Sequence, residues 1–444
     1  RAVKRVGLRQ RIGPAGDRAG AIGTLRRAIA ARPSVEARAA LAAYLARAGG
    51  SDALAEADAL YRALLTEAGP VPALQVNHAN VLKLRGDLAG AERLLTRALK
   101  RAPETPGARA NLAAIHYEQG DWPKAERAFA RAVEADGADV LARRGLGQML
   151  LGRGTWAKGW EFYEARLRQP GAEPKAAVPA SVAPWSLAEA RAADLSTARL
   201  LLWREQGLGE QILFSALIPD LMARTEALGL LAEPRLAALF ARSFPGLEVI
   251  ADDRADAPAR AAGYTARLAL CSLGGVLRAE AASFRAPTPF LHPDPARVAA
   301  FAAWLATLPP GRRIGVSWRS EKTRAAGKKS IPLAEWGPVL SRPGHVFVSL
   351  QYGETAEELA EARAAGHVIH TAPDLDPTED IDGLAALIAA LDGVVSISNV
   401  TAHLAGAVGT PQTLLLAPSH FWYWGYRGEE TGRFYPEQRR RDGP

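Results

Sequence analysis

A glycine-centred phrase recurs through the first part of this chain at a spacing of 34 residues, with one step of 36 between Gly50 and Gly86. Three copies begin at Gly86, Gly120 and Gly154, and two more, separated by the same distance, begin at Gly16 and Gly50. A period between about 20 and 50 residues is typical of solenoids, in which each unit buries its apolar face against its neighbours. A single unit cannot form a core alone, so we predict an α-solenoid of about five units over the first 170 residues.

The phrase resembles the tetratricopeptide repeat. Small residues fall where the two helices of such a repeat approach each other closely, at Gly86, Ala91, Gly120 and Ala125. Apolar residues recur at helical spacing within the units, at Leu82, Leu84, Leu94, Leu95 and Leu99 in one and at Ala113, Ile115, Phe129 and Val133 in the next. The resemblance implies a concave surface that binds an extended peptide or another protein. A rigid spacer is the alternative.

The sequence pattern changes after residue 170. Prolines, glycines and alanines predominate over residues 171–198, which predicts a linker. Amphipathic segments at 234–243 and 381–391 predict helices. They alternate with short apolar runs that predict buried strands, at 199–203, 228–232, 247–251, 314–318, 346–351, 367–370, 393–397 and 412–416. Such alternation indicates parallel sheets with helices on both faces. A proline-rich segment divides the region into two such α/β domains, which we place at 199–290 and 291–444.

The first candidate functional motif directly follows the first predicted strand. It contains Gln206, Gly207, Gly209 and Glu210. Glycines at a strand-to-helix turn allow a ligand to approach the backbone, and free N–H groups at the start of the helix suit an anion. A tight turn without function is an equally good interpretation. The motif lacks both the third glycine of the dinucleotide fingerprint and the Gly-Lys-Ser/Thr of a P-loop, which argues against both kinds of site.

The second candidate motif, residues 396–411, reads as strand, polar turn, helix and strand. Ser398, Asn399 and Thr401 are residue types that cap a helix. The N–H groups of that helix, including that of Ala402, point to the edge of the sheet where ligands bind in open α/β folds. A phosphate could bind there. His403 in the first turn is either a packing residue or a contact to phosphate or sugar.

Several phrases between residues 199 and 436 resemble the heptosyltransferase-like domain that follows tetratricopeptide repeats in bacteria, including the flagellin glycosyltransferases of alphaproteobacteria. The resemblance lies in residues 206–210, 318–319, 330–333, 349–353 and 396–411. It implies a GT-B fold, with the active site in a cleft between two Rossmann-like domains and the donor nucleotide on the second. The donor-binding residues would then be Trp318, Arg319, Lys329, Gln351, Tyr352, Gly353, Ser398, Asn399, Thr401, Ala402 and His403.

Two positions depart from the family pattern. The aspartate proposed as the general base in heptosyltransferases is replaced by Glu210, which keeps the carboxylate and adds one methylene. An acidic residue before the second helix is replaced by Ser398, so the donor contact there must differ. An aromatic stretch, residues 421–427, corresponds to one near the donor in the family, although aromatic residues there can also simply cover the core.

The resemblance implies a glycosyl transfer in which Glu210 deprotonates an acceptor hydroxyl. Arg319, Lys328 or Lys329, with the helix that starts at Thr401, would stabilise the leaving phosphate, although the two lysines could equally be solvated surface charges. We single out no Asp-x-Asp motif that demands a bound metal. We therefore expect a metal-independent enzyme with no cofactor beyond its nucleotide-sugar co-substrate.

Charge, cysteine content and the lack of long apolar runs indicate where in the cell the protein works. The net charge is +8, but the basic residues are scattered, which favours a generally basic surface over a nucleic-acid site. Cys271, the only cysteine, lies in an apolar run and is expected to pack in the core rather than react. No charge-free run of 18 apolar residues and no signal peptide are evident. We expect a cytoplasmic protein, and because the chain does not begin with Met we expect its start to be incomplete.

Three functions remain open at this stage. In the first, the repeats recruit a protein acceptor such as flagellin, and a sugar, by analogy a nonulosonic acid from a CMP donor, is transferred to Ser or Thr. In the second, the acceptor is a lipid or a surface glycan. In the third, the protein is a non-catalytic scaffold with a degenerate GT-B domain.

Overall fold

The computed structural model describes residues 18–169, 171–320, 329–425, 434–435 and 438–442. The chain divides into two compact units, residues 1–145 and 146–444. The first unit is helical, and the second contains two parallel β-sheets.

In the part of the chain that the structure describes, nine α-helices follow one another before the first strand. The first seven belong to the first unit, α8 crosses the division between the units, and α9 belongs to the second. Their bounds are α1 Arg18–Ala31, α2 Val35–Ala48, α3 Ser51–Ala68, α4 Pro72–Leu84, α5 Leu88–Arg101, α6 Ala108–Glu118, α7 Trp122–Ala135, α8 Val140–Gly152 and α9 Trp156–Tyr163.

The 34-residue period corresponds to the turn inside each helix pair. Gly50, Gly86, Gly120 and Gly154 have φ of 86°, 88°, 77° and 84°, a left-handed conformation that favours glycine. Gly16 lies outside the described residues. In two turns the next residue is an aspartate that caps the following helix. Asp87 Oδ1 accepts a hydrogen bond from Gly90 N at 2.7 Å, and its counterpart Asp121 accepts one from Lys124 N at 3.0 Å. Each glycine therefore ends one helix and, in these two turns, each aspartate starts the next.

The second unit carries a first α/β half with five parallel strands in the order β1-β5-β2-β3-β4. The strands are β1 Ala183–Pro184, β2 Arg199–Trp203, β3 Ala227–Ala232, β4 Glu248–Ala251 and β5 Ala266–Ala269. The helices of this half are α10 Leu187–Ala192, α11 Leu208–Ser215, α12 Ile218–Met222, α13 Pro234–Ser243, α14 Ala257–Ala261 and α15 Leu273–Leu277. The middle of β2 is fully buried on both faces, as expected for a parallel sheet covered by helices.

The second α/β half has six parallel strands in the order β11-β10-β9-β6-β7-β8. Its strands are β6 Arg312–Ser317, β7 His345–Ser349, β8 Ile369–His370, β9 Gly393–Ile397, β10 Gln412–Leu416 and β11 Gln438–Asp442. Its described helices are α16 Pro295–Ala306, α17 Gly337–Leu340, α18 Ala356–Ala364, α19 Ile381–Ala389 and α20 Val400–Val408.

The predicted fold class, helical repeats followed by two parallel α/β domains, is confirmed in its architecture. The predicted strands at 199–203, 393–397 and 412–416 coincide with β2, β9 and β10. The structure differs in three places. The segment interpreted as a linker contributes β1 and α10, and β5 and β11 were not expected as strands. The backbone of β11, a basic stretch at residues 438–442, pairs with β10.

Helix α9 is built into the second unit although it continues the repeat pattern. The side chain of Trp160 is fully buried, and its Nε1 donates a hydrogen bond to the carbonyl oxygen of Arg278 at 2.9 Å. Its ring lies edge-on to Phe214 of α11 and to Trp422, at centroid distances of 6.0 and 5.3 Å. The last repeat helix is therefore part of the α/β core.

The two α/β halves are joined by hydrogen bonds from α13 and the residues at its start. Arg242 binds Asp382 through two hydrogen bonds of 2.8 Å each. Arg235 Nη1 donates a hydrogen bond of 2.8 Å to the carbonyl oxygen of Thr378. Two-point guanidinium–carboxylate pairing fixes orientation as well as distance, so these contacts set how the halves face each other.

Candidate active site

A cavity of about 500 Å³ lies between the two α/β halves. Residues that follow the carboxyl ends of strands from both sheets line it, which is where ligands bind in open α/β folds. The first half contributes Arg204, Gly207, Leu208, Gly209, Glu210, Glu233 and Arg235. The second half contributes Ser320, Lys329, Tyr352, Pro377, Thr378, Ile381, Leu384, Ser398, Asn399, Val400, His403, Phe421 and Tyr423. We call these two groups the first wall and the second wall.

Glu210 lies in the first turn of α11 and is half-buried on the first wall. The phenol of Tyr423, on the second wall, donates a long hydrogen bond of 3.5 Å to Glu210 Oε1. Gly209 brings the walls together, because a Cβ added there would lie 2.6 Å from His403 Cδ2. A side chain at this position would therefore separate α11 from α20.

The start of α20 faces the cavity with its first N–H groups held in place. The buried Asn399 caps the helix, accepting a hydrogen bond from Ala402 N at 3.3 Å. Its Nδ2 donates to Ser317 Oγ at 2.7 Å, which fixes the amide from the other side. Ser398 Oγ accepts a hydrogen bond from Trp424 Nε1 at 2.8 Å. This helix N-terminus can attract an anion in the cavity.

His403 is a buried packing residue that also borders the cavity, and its predicted contact to phosphate or sugar stays a prediction. It is 2% exposed, its Nδ1 lies 2.7 Å from the hydroxyl oxygen of Tyr435, and its ring packs on Trp424 at 4.7 Å. It also lines the cavity. Burial, and to a smaller extent the charge of Lys329, lowers the pKa of His403 to about 3. The imidazole is therefore neutral near pH 7 and can offer a ligand a hydrogen bond but no charge.

Lys329 places an ammonium group on the second wall. Its Nζ lies 3.8 Å from the ring centroid of Phe421, a cation–π contact that orients the side chain. Phe421 in turn stacks on Tyr423 with centroids 5.2 Å apart. The aromatic stretch singled out in the sequence thus contributes directly to the cavity, while Arg427 and Lys328 lie outside the described residues.

Gln351 lies behind the cavity, in the core of the second half. It is 3% exposed, and its Oε1 accepts hydrogen bonds from the backbone N–H groups of Trp318 and Arg319, both at 2.9 Å. Its Nε2 donates to the carbonyl oxygens of Arg319 and Tyr352 at 3.2 and 3.0 Å. Gln351 therefore joins the loops after β6 and β7 instead of presenting its amide to a ligand.

Several other residues predicted to bind the donor also do not line the cavity. Trp318 is fully buried, and its Nε1 donates to Glu358 Oε1 at 2.9 Å. Arg319 Nε donates to the same carboxylate at 2.9 Å. Thr401 is fully buried. The remaining residues of this group are Gly353, whose N–H donates to Thr378 Oγ1 at 3.3 Å, and Ala402. Gln206, predicted as part of the active-site loop before α11, is not among the residues that line the cavity either.

The first wall also contains an ion-pair network that was not predicted from the sequence. Arg204 Nε donates to Asp252 Oδ2 at 2.6 Å and its guanidinium also pairs with Glu233, which binds Arg235 at 3.1 Å. Arg204, Glu233 and Asp252 each directly follow a strand, β2, β3 and β4 respectively. Because the carboxyl ends of parallel strands meet at one edge, this spacing was a usable signal.

Two Asp-x-Asp sequences occur in the chain, at residues 374–376 and 380–382. Asp380 pairs with Arg297 and Asp382 with Arg242, while Asp376 Oδ1 accepts a hydrogen bond from Thr378 N at 2.7 Å. No group of three or more His, Cys, Asp or Glu side chains in the described part of the chain has a metal-binding arrangement. Metal independence stays a prediction.

No described helix is long and apolar enough to cross a membrane.

Comparison with known proteins gives three kinds of similarity. Residues 82–149 match the tetratricopeptide repeat family. The chain is 39% identical over 300 residues to the protein FlbA of Caulobacter vibrioides, which covers 63% of this chain and 48% of FlbA. The chain thus spans about half the length of the curated relative it matches.

Similar solved structures fall into two groups. The chain is similar to the ADP-heptose lipopolysaccharide heptosyltransferase II of E. coli (16% identity, TM-score 0.42, 55% of this chain and 90% of that one). A glycosyl transferase family 9 structure from Veillonella parvula gives 11% identity, a TM-score of 0.43, and coverage of 56% and 88%. MamA gives 18% identity, a TM-score of 0.29, and coverage of 34% and 88%. The chain therefore combines a helical N-terminal region that matches the tetratricopeptide repeat over residues 82–149 with two parallel α/β halves, and part of it is similar to FlbA.

Proposed function

We propose that the protein is a glycosyltransferase that moves a sugar from a nucleotide-sugar donor to a hydroxyl group. One observation carries this proposal: Glu210 and the capped start of α20 line the same cavity between two parallel α/β halves. A carboxylate on one wall and an anion-attracting helix terminus on the other are the two groups that such a transfer needs. The sequence phrases that resemble heptosyltransferases line this cavity or support its loops.

The donor's phosphate would bind at the second wall. The N–H groups at the start of α20 and the ammonium of Lys329 provide positive charge there. Ser398, Asn399 and neutral His403 can add hydrogen bonds, and Tyr352 and Phe421 offer aromatic surface to the nucleoside. This wall would hold the nucleotide without a metal ion, because the positive charge comes from the protein.

The chemical step would proceed through Glu210. Its carboxylate accepts the proton of the acceptor hydroxyl while the hydroxyl oxygen attacks the anomeric carbon of the donor sugar. A new C–O bond forms, the bond between that carbon and the phosphate oxygen breaks, and the electron pair leaves with the nucleotide. Lys329 and the α20 N–H groups stabilise the negative charge that develops on the leaving phosphate.

Glu210 is better suited to this role than Glu233, the other carboxylate of the lining. The oxygens of Glu233 are engaged by the guanidinium groups of Arg204 and Arg235. The contact described for Glu210 Oε1 is the long hydrogen bond from Tyr423. A general base must have an oxygen available to the substrate proton, and Glu210 meets this condition more readily.

The acceptor in this proposal is a protein that the repeats recruit in the cytoplasm. Sugar transfer to a Ser or Thr of flagellin, with a nonulosonic acid from a CMP donor, is the specific form that the family resemblance suggests. A calorimetric screen of CMP, UDP, GDP, ADP and dTDP would identify the donor nucleotide. Transfer should then be measured with the corresponding nucleotide-sugars, and absence of both binding and turnover with all of them would favour a non-catalytic scaffold.

Removing the repeats tests the choice of acceptor. The cut should follow residue 145, because α9 and its buried Trp160 belong to the core of the second unit. We expect the shortened protein to bind nucleotide normally and to lose transfer to a protein acceptor. A melting curve and the nucleotide Kd are the controls for folding. Undiminished transfer would contradict recruitment by the repeats and favour a lipid or glycan acceptor.

A further inference from the structure

Arg166 connects the end of the repeat helices to the loop that carries Glu210. It lies in the 3-10 turn after α9, and its side chain is 1% exposed. Its Nη2 lies 2.9 Å from Glu205 Oε1 and donates to Ser272 Oγ at 2.8 Å. Its Nη1 donates to Glu164 Oε1 at 2.5 Å. A guanidinium with partners on several sides is fixed in position as well as paired in charge.

Glu205 is the second residue of the loop between β2 and α11, and its side chain is also 1% exposed. Its Oε1 accepts hydrogen bonds from Arg166 Nε at 3.0 Å and from Cys271 N at 3.3 Å. Its Oε2 has no hydrogen-bond partner among the described residues. A carboxylate buried in this way is strongly destabilising unless a cation is paired with it. Arg166 is that cation.

Glu205 and Glu210 lie on either side of one short segment, and the charges of both affect the pKa of the same buried group, the thiol of Cys271. Burial raises the pKa of the Cys271 thiol well above its ordinary value, and the charges of Glu205 and Glu210 raise it further. The thiol is therefore protonated and serves as core packing, as expected. Residues 206–209, which separate the two carboxylates, include Gly209, where α11 lies directly against His403 of α20. A shift of Glu205 would be transmitted to Glu210 through these four residues.

We propose that Arg166 is a positioning residue, which fixes the loop at Glu205 so that Glu210 faces the cavity. The inference rests on the proposed function, in which Glu210 accepts the substrate proton. Arg166 belongs to neither sheet. It comes from the segment that continues the last repeat helix, so the end of the repeats sets the geometry of the catalytic loop. The nucleotide site on the second wall is formed by other segments.

The decisive variant is the double substitution Arg166→Met with Glu205→Gln in the full chain. It removes the buried charge together with its partner, which is tolerated far better than breaking the pair. Glu164 is partly exposed and keeps its hydrogen bond from Ser272. We expect a melting temperature near that of the wild type, a nucleotide Kd within twofold, and kcat lowered roughly 10- to 100-fold, as for a base displaced by about 1 Å.

Three single variants complete the set. Arg166→Met alone should lose both stability and kcat, because Glu205 is left buried without a cation. Arg166→Lys keeps the charge and should retain more of kcat than the double variant. Arg191→Met is the matched control: Arg191 binds the carbonyl oxygen of Gly275 at 2.9 Å and Glu161 at 3.3 Å, near the same helices but away from the loop. It should leave kcat unchanged.

Recovery of both kcat and melting temperature in the double variant would overturn the proposal, because Arg166 would then only neutralise a buried charge. Amide hydrogen exchange over residues 204–215 gives a readout that needs no turnover. Faster exchange in the double variant than in the wild type and in Arg191→Met supports the proposal, and unchanged exchange overturns it. If the wild type proves to have no transferase activity, the proposed function fails while the exchange measurement still decides the role of Arg166.

Discussion

The two walls of the cavity differ in the kind of charge they carry. Both carboxylates of the lining, Glu210 and Glu233, lie on the first wall, together with two arginines. The second wall has no carboxylate among the lining residues that the structure describes. It has the ammonium of Lys329, a neutral imidazole and a capped helix terminus.

This difference indicates a division of labour. Groups that can take a proton from an acceptor lie on one side, and groups that can hold an anionic leaving group lie on the other. If the division is correct, substitutions on the first wall should change the rate of chemistry, and substitutions on the second should change donor binding. Each prediction below tests one side of that comparison or the contact between them.

The largest effect is expected for Glu210→Gln. The amide keeps the size of the side chain but cannot accept the acceptor's proton, so kcat should fall about 10²- to 10⁴-fold. The nucleotide Kd should stay within twofold, because the phosphate binds the opposite wall. Steady-state kinetics and calorimetry measure the two quantities.

Glu233→Gln is the matched control for that substitution. It should lower stability more than Glu210→Gln does, because it breaks pairs with Arg204 and Arg235, and it should affect kcat less. An equal loss of kcat in both variants would contradict the assignment of the base to Glu210. A loss of nucleotide affinity in Glu210→Gln would contradict the division between the walls.

Lys329→Met tests the second wall. Losing a charged hydrogen bond to phosphate costs about 1.5–3 kcal/mol, so nucleotide Kd should rise roughly 10- to 100-fold. Lys329→Arg keeps the charge and should recover much of the affinity. The effect should weaken at high salt, as expected for a charge interaction. An unchanged nucleotide Kd with a lowered kcat would show that Lys329 acts in the chemical step instead of in donor binding.

Gly209→Ala tests the contact between the walls. The added Cβ would lie 2.6 Å from His403 Cδ2, so α11 and α20 must separate, and we expect a loss of about 1–3 kcal/mol of unfolding free energy. Gly337→Ala is the control, since a Cβ there meets no atom closer than 3.8 Å, and its effect should stay within about 0.5 kcal/mol. Equal urea midpoints for the two variants would contradict the tight contact.

The fold could be predicted where it is specified locally. The repeat turn needs a left-handed glycine and often an aspartate cap, and both are visible in a few consecutive residues such as Gly86 and Asp87. Buried parallel strands appear as apolar runs, as in β2. In contrast, β11 is a polar segment whose strand conformation comes from pairing with β10, and no local pattern indicates it.

The site could be predicted less completely because its residues are assembled from distant segments. Glu210 and His403 belong to recognisable motifs, and the structure places both on one cavity. Gln351 belongs to a similar phrase, yet its side chain joins two loops, which only the packing reveals. Arg166 lies 39 residues before Glu205 and contacts it through the tertiary fold alone.

His403 gives a smaller, pH-dependent effect. An exposed histidine has a pKa near 6.5, whereas burial lowers that of His403 to about 3. Below pH 6.5 the unfolded chain binds a proton that the folded chain does not, so the contribution of this residue to stability is full above pH 6.5 and is lost as the pH falls toward 3. Between pH 7 and pH 5.5 the loss should be about 1 kcal/mol.

Urea denaturation of the wild type and of His403→Gln at both pH values measures this effect. The wild type should lose more stability than the variant over that interval, whatever the difference between them at pH 7. Identical losses would show that the imidazole is protonated in the folded protein. The second wall would then carry an additional positive charge, and nucleotide affinity should rise as the pH falls.

Tyr423→Phe should have the smallest effect of these substitutions, and it tests whether the phenol takes part in proton transfer to Glu210. The phenol is the one described hydrogen-bond donor from the second wall to Glu210 Oε1, at 3.5 Å. A hydrogen bond of that length contributes about 0.5 kcal/mol, so kcat/KM should change by about twofold, while the ring keeps its stacking on Phe421. A drop as large as that of Glu210→Gln would show that the proton passes through the phenol, and the base would then be shared between the two walls.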